Sequence, residues 1–151
     1  MIYVKFSSPD VSVNLAAEYY FAAVKPLGDE IFMLWQPRPT IVVGNFQNIH
    51  EEVDVSYAKS RGIDIVRRLS GGGTVYQDSG SIQYAFIADG DRDINFRRYL
   101  EPMVAVLREL GINATADGRN DICADGKKVS GNAQYRVGNV TVHHGTLLFS
   151  A

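Results

Sequence analysis

The sequence predicts a single globular domain that combines helices with strands, of the α/β or α+β class. The chain has 151 residues, close to the usual size of one domain. Apolar residues make up 46% of it and charged residues 21%, which argues against a disordered, collagen-like or coiled-coil chain. Helical periodicities and β-rich runs both occur along its length, so helices and strands are expected to share one core.

Three helices are predicted from apolar periodicity and from end signals. The first covers 12–21 and ends near Pro26. A shorter helix is expected over 53–60. The third covers 95–110 and has a broad apolar face that Gly111 closes as the C′ residue.

Strands are predicted where β-branched and aromatic residues run between Gly, Pro, Asn or Asp residues. They cover 31–35, 40–44, 63–67, 74–76, 81–88, 120–124 and 140–149, and a further strand begins at Lys128. The Asp125-Gly126 pair predicts a type I′ hairpin, and a second hairpin is predicted at Gly138-Asn139. The glycine run 70–73 therefore joins one strand to another.

Charge and cysteine content limit the classes of function. Fifteen basic and seventeen acidic residues give a net charge of −2, so no global positive field exists for a nucleic-acid backbone. No apolar run reaches the length that spans a bilayer, so no membrane is expected as partner. The single cysteine, Cys123, forms no disulfide within the chain and the N-terminus lacks a signal-peptide pattern, which predicts a cytoplasmic location.

The densest chemical signal is the segment Arg67-Arg68-Leu69-Ser70-Gly71-Gly72-Gly73-Thr74. Three glycines permit positive φ and a close approach of backbone N–H groups to a ligand, while the arginines supply permanent charge suited to phosphate or carboxylate. The P-loop pattern and the dinucleotide fingerprint are both excluded, because each needs its glycines to open a helix. We therefore predict an anion site, with a flexible strand connection as the alternative.

A second signal is the hairpin that carries Asn120, Asp121 and Lys128. Pairing across the Asp125-Gly126 turn brings a carboxylate, an amide and an ammonium together on adjacent strands. An ammonium beside a carboxylate can bind a phosphate oxygen and a substrate carboxylate together, and Asp121 could also hold Mg²⁺. The alternative is a solvated hairpin with a surface ion pair, worth ~0–1 kcal/mol.

The histidine pair and the cysteine are weaker candidates. His143 and His144 are neighbours in a predicted strand, so their imidazoles face opposite sides and cannot easily chelate one metal. One of them could hydrogen-bond a ligand, and the alternative is a core or surface histidine without chemistry. Cys123 has no indicated base beside it, so we predict a small buried side chain instead of a nucleophile.

Four motifs occur in a fixed order along the chain. They are Arg67-Arg68-x-Ser70-Gly71-Gly72-Gly73-Thr74-Val75-Tyr76-x-Asp78-x-Gly80, Gly118-Arg119-Asn120-Asp121-Ile122, Gly126-Lys127-Lys128-Val129-Ser130-Gly131-Asn132-Ala133 and His143-His144-Gly145-Thr146-Leu147-Leu148. In order and spacing they resemble the lipoate–protein ligase family, whose first helix resembles Asn14-Leu15-Ala16-x-Glu18. The resemblance implies an α+β domain with a mixed, mainly antiparallel β-sheet and packed helices, the biotin/lipoate ligase fold related to the class II aminoacyl-tRNA synthetase core.

The resemblance also implies an ATP-dependent activity in two steps. Lipoate and ATP form lipoyl-AMP with release of pyrophosphate, and the lipoyl group then passes to a lysine of an acceptor domain. The implied acceptors belong to 2-oxoacid dehydrogenase complexes or are the glycine cleavage H protein, and a separate accessory domain is a further implied partner. An octanoyl or lipoyl transferase on the same fold, or a non-catalytic fragment that binds lipoate or nucleotide, are the alternatives.

The same resemblance implies roles for individual residues. Lys128 is expected to be catalytic and to contact both the lipoate carboxylate and the α-phosphate. Implied nucleotide contacts are Arg68, Gly73, Thr74, Val75, Tyr76, Asn120, Asp121 and Lys128, with Mg²⁺ at Asp121. Implied lipoate contacts are Arg68, Gly72, Gly73, Lys128 and His144. Because the family continues beyond the strand that holds His144, residues 1–151 are expected to be a catalytic domain truncated at its C-terminus.

Overall fold

The computed structural model describes residues 1–25, 28–89 and 94–150 of the chain and contains both helices and strands. The helices in these ranges are α1 (Val11–Ala23), α2 (Ile49–Glu52), α3 (Val55–Ser60) and α4 (Arg97–Glu109). The strands are β1 (Ile2–Lys5), β2 (Ile31–Trp35), β3 (Thr40–Val43), β4 (Asp64–Arg67), β5 (Val75–Gln77), β6 (Ser81–Asp89), β7 (Ala114–Asp117), β8 (Asp121–Ala124), β9 (Lys127–Val137) and β10 (Val140–Leu148).

Two β-sheets form the scaffold of the described residues. The larger has seven strands in the order β1-β2-β6-β10-β9-β8-β7, and every neighbouring pair except β1 and β2 is antiparallel. The smaller has three strands in the order β4-β3-β5, with β4 parallel and β5 antiparallel to β3. The α+β class with a mixed, mainly antiparallel sheet is therefore confirmed.

The inner strand β6 of the large sheet is buried on both faces and separates two apolar layers. Tyr84 and Phe86 pack with α4 residues such as Leu100 on one side. Ala85 and Ile87 face the other side, where α1 lies. Successive side chains of a strand point to opposite faces, so this one strand supports both layers.

The three predicted helices begin and end close to the predicted residues, and the short helix α2 was not predicted. Helix α1 begins one residue before the predicted range. The Asp10 carboxylate caps it by accepting hydrogen bonds from two backbone N–H groups of the first helical turn. The predicted end signal Pro26 lies outside the described residues. The helix expected over 53–60 begins at Val55 instead, because Val53 is extended and Asp54 caps a new helix.

Two short strands were not predicted. β1 and β7 have four residues each, too few for an alternating pattern to stand out from a loop. Both lie at an edge of the seven-stranded sheet, where their pairing with a neighbouring strand defines them. Within the described ranges, none of the helices combines the length and apolar character needed to cross a bilayer.

The turns that position the candidate site occur where the sequence predicts them. Asp125 and Gly126 both have positive φ, at 48° and 76°, as the type I′ hairpin between β8 and β9 requires. The glycine run joins β4 to β5 as predicted, but these strands do not pair because β3 lies between them. The run therefore crosses the C-terminal end of β3, against the segment that begins at Gly44.

Candidate active site

A cavity of about 480 Å³ lies beside the glycine run on the α1 side of the large sheet. Its lining includes nearly all the sequence-predicted site residues: Arg68, Gly72, Gly73, Thr74, Val75, Tyr76, Asn120, Lys128 and His144. Apolar side chains complete much of the wall, among them Val11, Leu15, Trp35, Val42 and Leu148. Asp121 is outside this lining but contacts Lys128. The two predicted anion sites, one on the glycine run and one on the hairpin, therefore share one cavity.

Arg68 is 8% exposed and holds the glycine run in place. One guanidinium nitrogen, Nη2, donates to the carbonyl oxygens of Gly71 at 2.8 Å and Gly73 at 2.7 Å. Nη1 donates to the Val42 carbonyl at 3.1 Å and Nε to Ser70 Oγ at 3.1 Å. Burial lowers the pKa of the guanidinium, which still remains charged at neutral pH. These bonds use four of its five N–H groups, so one remains for a ligand.

Arg67 does not share this role, contrary to the expectation that both arginines serve one anion site. Its Nη1 lies 2.7 Å from the carbonyl oxygen of Gly44, 3.1 Å from that of Asn45 and 2.8 Å from that of Gln47. Neighbouring residues along an extended chain point in opposite directions, so only Arg68 faces the cavity. Arg68 therefore contributes a positive charge to the cavity, whereas Arg67 binds the carbonyl oxygens of the 44–47 turn and holds that turn in place.

Gln47 is a residue that the sequence interpretation missed. Its Oε1 accepts hydrogen bonds from Thr74 Oγ1 at 2.8 Å and from the Gly44 backbone N–H at 3.0 Å. A Cβ added at Gly44 would overlap the Gly72 carbonyl oxygen, so glycine is needed for this close approach. The 44–47 turn thus supports the glycine run from outside the cavity, although none of its residues belongs to an obvious sequence motif.

Lys128 pairs with Asp121 across the β8–β9 hairpin, with 2.9 Å between Nζ and Oδ2. Lys128 lies opposite Cys123, and the register then shifts between Cys123 and Ile122. The Lys128 side chain is 58% exposed and that of Asp121 is 30% exposed. An ion pair this accessible is worth only ~0–1 kcal/mol, so the ammonium can exchange Asp121 for a ligand oxygen at small cost.

Asn120 and Asn132 hold the polar end of the hairpin together. Asn120 Nδ2 donates to the Asn132 carbonyl at 2.7 Å, and Asn132 Nδ2 donates to the Asn120 carbonyl at 3.0 Å. Asn132 Oδ1 also accepts from the hydroxyl of Tyr84 and, at 3.1 Å, from His143 Nε2. Burial raises the pKa of Tyr84 to about 12, which keeps the phenol as a donor. Asn132, to which the sequence interpretation gave no role, is thus the centre of this network.

The two adjacent histidines face opposite layers, as predicted. His143 is fully buried on the α4 side and stacks on Tyr99, with 4.8 Å between ring centroids. Gln134 Nε2 donates to His143 Nδ1 at 2.9 Å, which leaves the ring proton on Nε2. His144 faces α1 and lines the cavity. The two rings therefore cannot bind one metal.

We expect His143 to stay neutral from pH 8 down to about pH 4, because burial lowers its pKa to about 3. The unfolded chain takes up this proton near pH 6.5, so His143 should reduce the free energy of unfolding as pH falls from about 6.5 toward 3. Nitrogen-15 spectra of histidine-labelled protein over this pH range test whether His143 stays neutral. A His143 ring that titrates near its ordinary pKa would contradict it.

Cys123 is buried, and its Sγ donates to Asp117 Oδ2 at 3.7 Å. Burial and the Asp117 carboxylate raise the pKa of the thiol. A raised pKa favours the thiol form over the nucleophilic thiolate. The geometry therefore agrees with the predicted small buried side chain.

Asp121 offers a carboxylate oxygen that fits a cation. Its Oδ2 pairs with Lys128, whereas its Oδ1 has no hydrogen-bond partner among the described residues. No three His, Cys, Asp or Glu side chains in that part of the chain cluster closely enough to form a metal cage. Mg²⁺ commonly binds through one carboxylate together with substrate phosphates, which is the arrangement this single carboxylate fits.

Comparison with known proteins assigns the chain to a family. Residues 10–151 match the family model described as the lipoyl protein ligase A/B catalytic domain. The chain belongs to this family. It is 43% identical over 144 residues to lipoate–protein ligase 1 of Staphylococcus aureus, covering 94% of this chain and 44% of that protein. It is 38% identical over 149 residues to the human mitochondrial lipoyl amidotransferase LIPT1, covering 95% of this chain and 39% of that protein.

Solved structures of family members share the fold. Plasmodium falciparum LipL1 in complex with lipoate has a TM-score of 0.89 and 28% identity, over 99% of this chain and 48% of that one. A lipoate–protein ligase A bound with ATP has a TM-score of 0.87 and 26% identity, over 99% of this chain and 67% of that one. A bipartite ligase of Thermoplasma acidophilum, from a study that includes its E2 lipoyl domain, has a TM-score of 0.86 and 28% identity, over 99% of this chain and 62% of that one. The chain spans less than half the length of the curated relatives described above.

Proposed function

We propose that residues 1–151 carry the substrate site of an ATP-dependent lipoate–protein ligase. The observation that supports this most is the single cavity that holds the Lys128 ammonium, the Arg68 guanidinium and an apolar wall. A carboxylic acid with a long apolar chain and a nucleoside triphosphate need these three features together. Relatives bound to lipoate and to ATP share the fold and support the same assignment.

In the proposed first step, a lipoate carboxylate oxygen attacks the α-phosphorus of ATP. The new C–O–P linkage forms as the bond to the β-phosphate breaks, and pyrophosphate leaves. Both reactants are anions, so the main task of the protein is to hold them together with fixed positive charge. Lys128 would leave Asp121 to contact the carboxylate and the α-phosphate, and Arg68 would offer its remaining N–H.

The remaining predicted contacts would complete the nucleotide site. Backbone groups of Gly73 and Thr74 would approach the phosphates, while Val75 and Tyr76 would contact the nucleotide. Asn120 would lie beside the phosphates. Asp121 would hold Mg²⁺, which neutralises phosphate charge when bound. Its unpaired Oδ1 supports this role.

The apolar wall would receive the acyl chain. Val11, Leu15 and Trp35 line the cavity, and burial of an eight-carbon chain is favourable by ~0.8 kcal/mol per CH₂ group. His144 and the backbone of Gly72 and Gly73 would border the same channel. Such a channel would position the carboxylate at Lys128 by gripping the rest of the substrate.

In the proposed second step, a lysine amine of an acceptor domain attacks the carbonyl carbon of the adenylate. An amide bond forms, the bond from carbonyl carbon to phosphate oxygen breaks, and AMP and a proton leave. A family member studied with its E2 lipoyl domain supports such a domain as acceptor. The acceptor domain would belong to a 2-oxoacid dehydrogenase complex or be the glycine cleavage H protein, and a separate accessory domain would assist the transfer.

The cytoplasmic location stays a prediction.

The decisive experiment incubates the protein with lipoate, ATP and Mg²⁺ and detects lipoyl-AMP by mass spectrometry. It tests the chemistry without the choice of an acceptor. We expect adenylate and pyrophosphate in the complete mixture and neither without ATP. Tight lipoate binding with no adenylate would instead indicate a fragment that only binds.

The similarity to a lipoyl amidotransferase favours a second candidate, acyl transfer on the same fold. This reaction would move an octanoyl or lipoyl group from a thioester or amide donor without ATP. Cys123 does not suit the role of nucleophile, because burial and Asp117 raise the pKa of its thiol. Acyl transfer from a carrier protein in the absence of ATP would support this candidate over the ligase.

A further inference from the structure

A chain of hydrogen bonds joins two buried charged side chains next to the cavity. Arg68 Nε donates to Ser70 Oγ at 3.1 Å, and Ser70 Oγ lies 2.6 Å from His144 Nε2. His144 Nδ1 lies 2.9 Å from Glu18 Oε2. Glu18 is 0% exposed and Ser70 is 1% exposed, so water does not compete for these bonds.

The donors in this chain assign the protons. Arginine only donates, so Ser70 Oγ must accept from Arg68. A serine oxygen can accept two hydrogen bonds, but Ser70 Oγ has no partners other than Arg68 and His144 among the described residues. We therefore assign the Ser70 hydroxyl proton to the bond with His144, whose Nε2 is then unprotonated. The remaining ring proton lies on Nδ1 and is donated to the Glu18 carboxylate. Every bond points from the guanidinium toward the carboxylate, and such aligned bonds strengthen one another.

Each charged end lacks a direct partner of opposite charge. Among the described residues, no carboxylate lies within ion-pair distance of Arg68, and Glu18 Oε1 has no hydrogen-bond partner. A buried charge is costly unless it is compensated. His144 and Ser70 provide that compensation by linking the Glu18 carboxylate to the Arg68 guanidinium.

Ser70 is not placed as a nucleophile, despite its resemblance to a Ser-His-Glu triad. It is almost fully buried and is not among the residues that line the cavity. Its oxygen also accepts a hydrogen bond from a cation, which makes it a poorer nucleophile. A role in holding Arg68 fits these contacts better.

We propose that Glu18 is a positioning residue for nucleotide binding. Acting through His144 and Ser70, it fixes the Arg68 guanidinium, which in turn holds the carbonyl oxygens of the glycine run. The preformed anion site therefore depends on a helix residue of α1 that lies behind the cavity wall. This inference rests on the proposed function, because it takes ATP as the ligand.

The proton assignment has a direct spectroscopic test. Nitrogen-15 spectra of histidine-labelled protein should show His144 as the Nδ1–H tautomer and His143 as the Nε2–H tautomer. His143 serves as an internal control, because Gln134 Nε2 donates to its Nδ1. A His144 ring protonated on Nε2 would overturn the inference, because Arg68 and His144 would then both donate to Ser70 Oγ and the aligned chain of bonds to Glu18 would be broken.

The functional test compares ATP dissociation constants for Glu18→Gln, Ser70→Ala and the double variant. We expect each single variant to weaken ATP binding about tenfold, from the loss of a hydrogen-bonded link to a charged group. The double variant should bind no more weakly than Ser70→Ala, because Glu18 acts through Ser70. Loss of a negative charge by itself would tighten the binding of an anion, so the direction of the change distinguishes positioning from a Coulomb effect.

Asn14→Ala provides the matched control. Asn14 is a buried polar residue of α1 one turn before Glu18, and its Nδ2 donates to the Ser8 carbonyl at 3.0 Å instead of to a member of the chain of bonds. We expect it to lower thermal stability without changing ATP affinity. Normal ATP affinity in Glu18→Gln, or additive effects in the double variant, would overturn the role of Glu18 and leave the proposed function intact. If the unsubstituted protein binds no ATP, the proposed function itself fails and takes this inference with it.

Discussion

Lys128→Ala is expected to slow adenylate formation about a hundredfold, a loss of ~3 kcal/mol in transition-state stabilisation. The ammonium would contact charge that develops as the carboxylate and the α-phosphate react, and alanine supplies no donor. The substitution would also remove one of the two fixed positive charges that hold the anionic reactants together. The rate of lipoyl-AMP formation with saturating lipoate and ATP measures this effect.

Lys127→Ala is the matched control for this substitution. Lys127 precedes Lys128 in β9, is exposed, pairs with Ala124 and is not among the residues that line the cavity. We expect its adenylation rate to equal that of the unsubstituted protein. An unchanged rate in purified, folded Lys128→Ala would refute the catalytic role.

Gly145→Ala is expected to cost ~3 kcal/mol of folding free energy through overpacking. A Cβ at this position would overlap Asn132 Oδ1 and would lie 2.6 Å from the Tyr84 ring and hydroxyl. Both neighbours are buried and hydrogen-bonded to each other, so neither can move away cheaply. Thermal unfolding should show a fall in Tm of about 10 °C for a domain of this size.

Gly71→Ala separates overpacking from the general effect of replacing a glycine. An added Cβ there would meet only the Phe46 ring, at 3.7 Å, which is ordinary contact. We expect its Tm to stay within a few degrees of the unsubstituted protein. Equal losses of Tm in both variants would mean that the contact with Asn132 and Tyr84 is not the cause.

Local signals predicted most helices and strands and the two hairpins, whereas the sheet type and most of the cavity residues followed from the family resemblance. The Asp125-Gly126 turn fixes the hairpin that brings Lys128 to Asp121, and positive φ at both turn residues follows from their chemistry. Strand alternation alone places His143 and His144 on opposite sides. The roles proposed for these residues in catalysis and binding remain predictions until they are measured.

The same rule of alternation could have separated the two arginines. The sequence places Arg67 and Arg68 side by side like one charge cluster, but adjacent residues of an extended chain point in opposite directions. The hydrogen bonds from Arg67 to the 44–47 turn depend on the parallel pairing of β3 with β4. Parallel pairing joins distant segments and leaves no short-range signal in the sequence.

Glu18 is a residue whose partner only the folded structure identifies. It lies on the buried stripe of α1 with Val11, Asn14 and Ala22, and a carboxylate on such a stripe is itself a signal of a specific partner. The partner, His144, is 126 residues away along the chain. Sequence spacing could have indicated that Glu18 needs a partner, but not which residue supplies it.

Strand β10 has a consequence for how this domain could be altered. His143 belongs to the packed layer under α4, whereas the next residue, His144, forms part of the cavity wall. A change in the α4 layer that shifts the backbone of β10 would therefore shift ligand contacts as well. Redesign of substrate preference in this domain would have to treat the interior and the binding surface as a single problem.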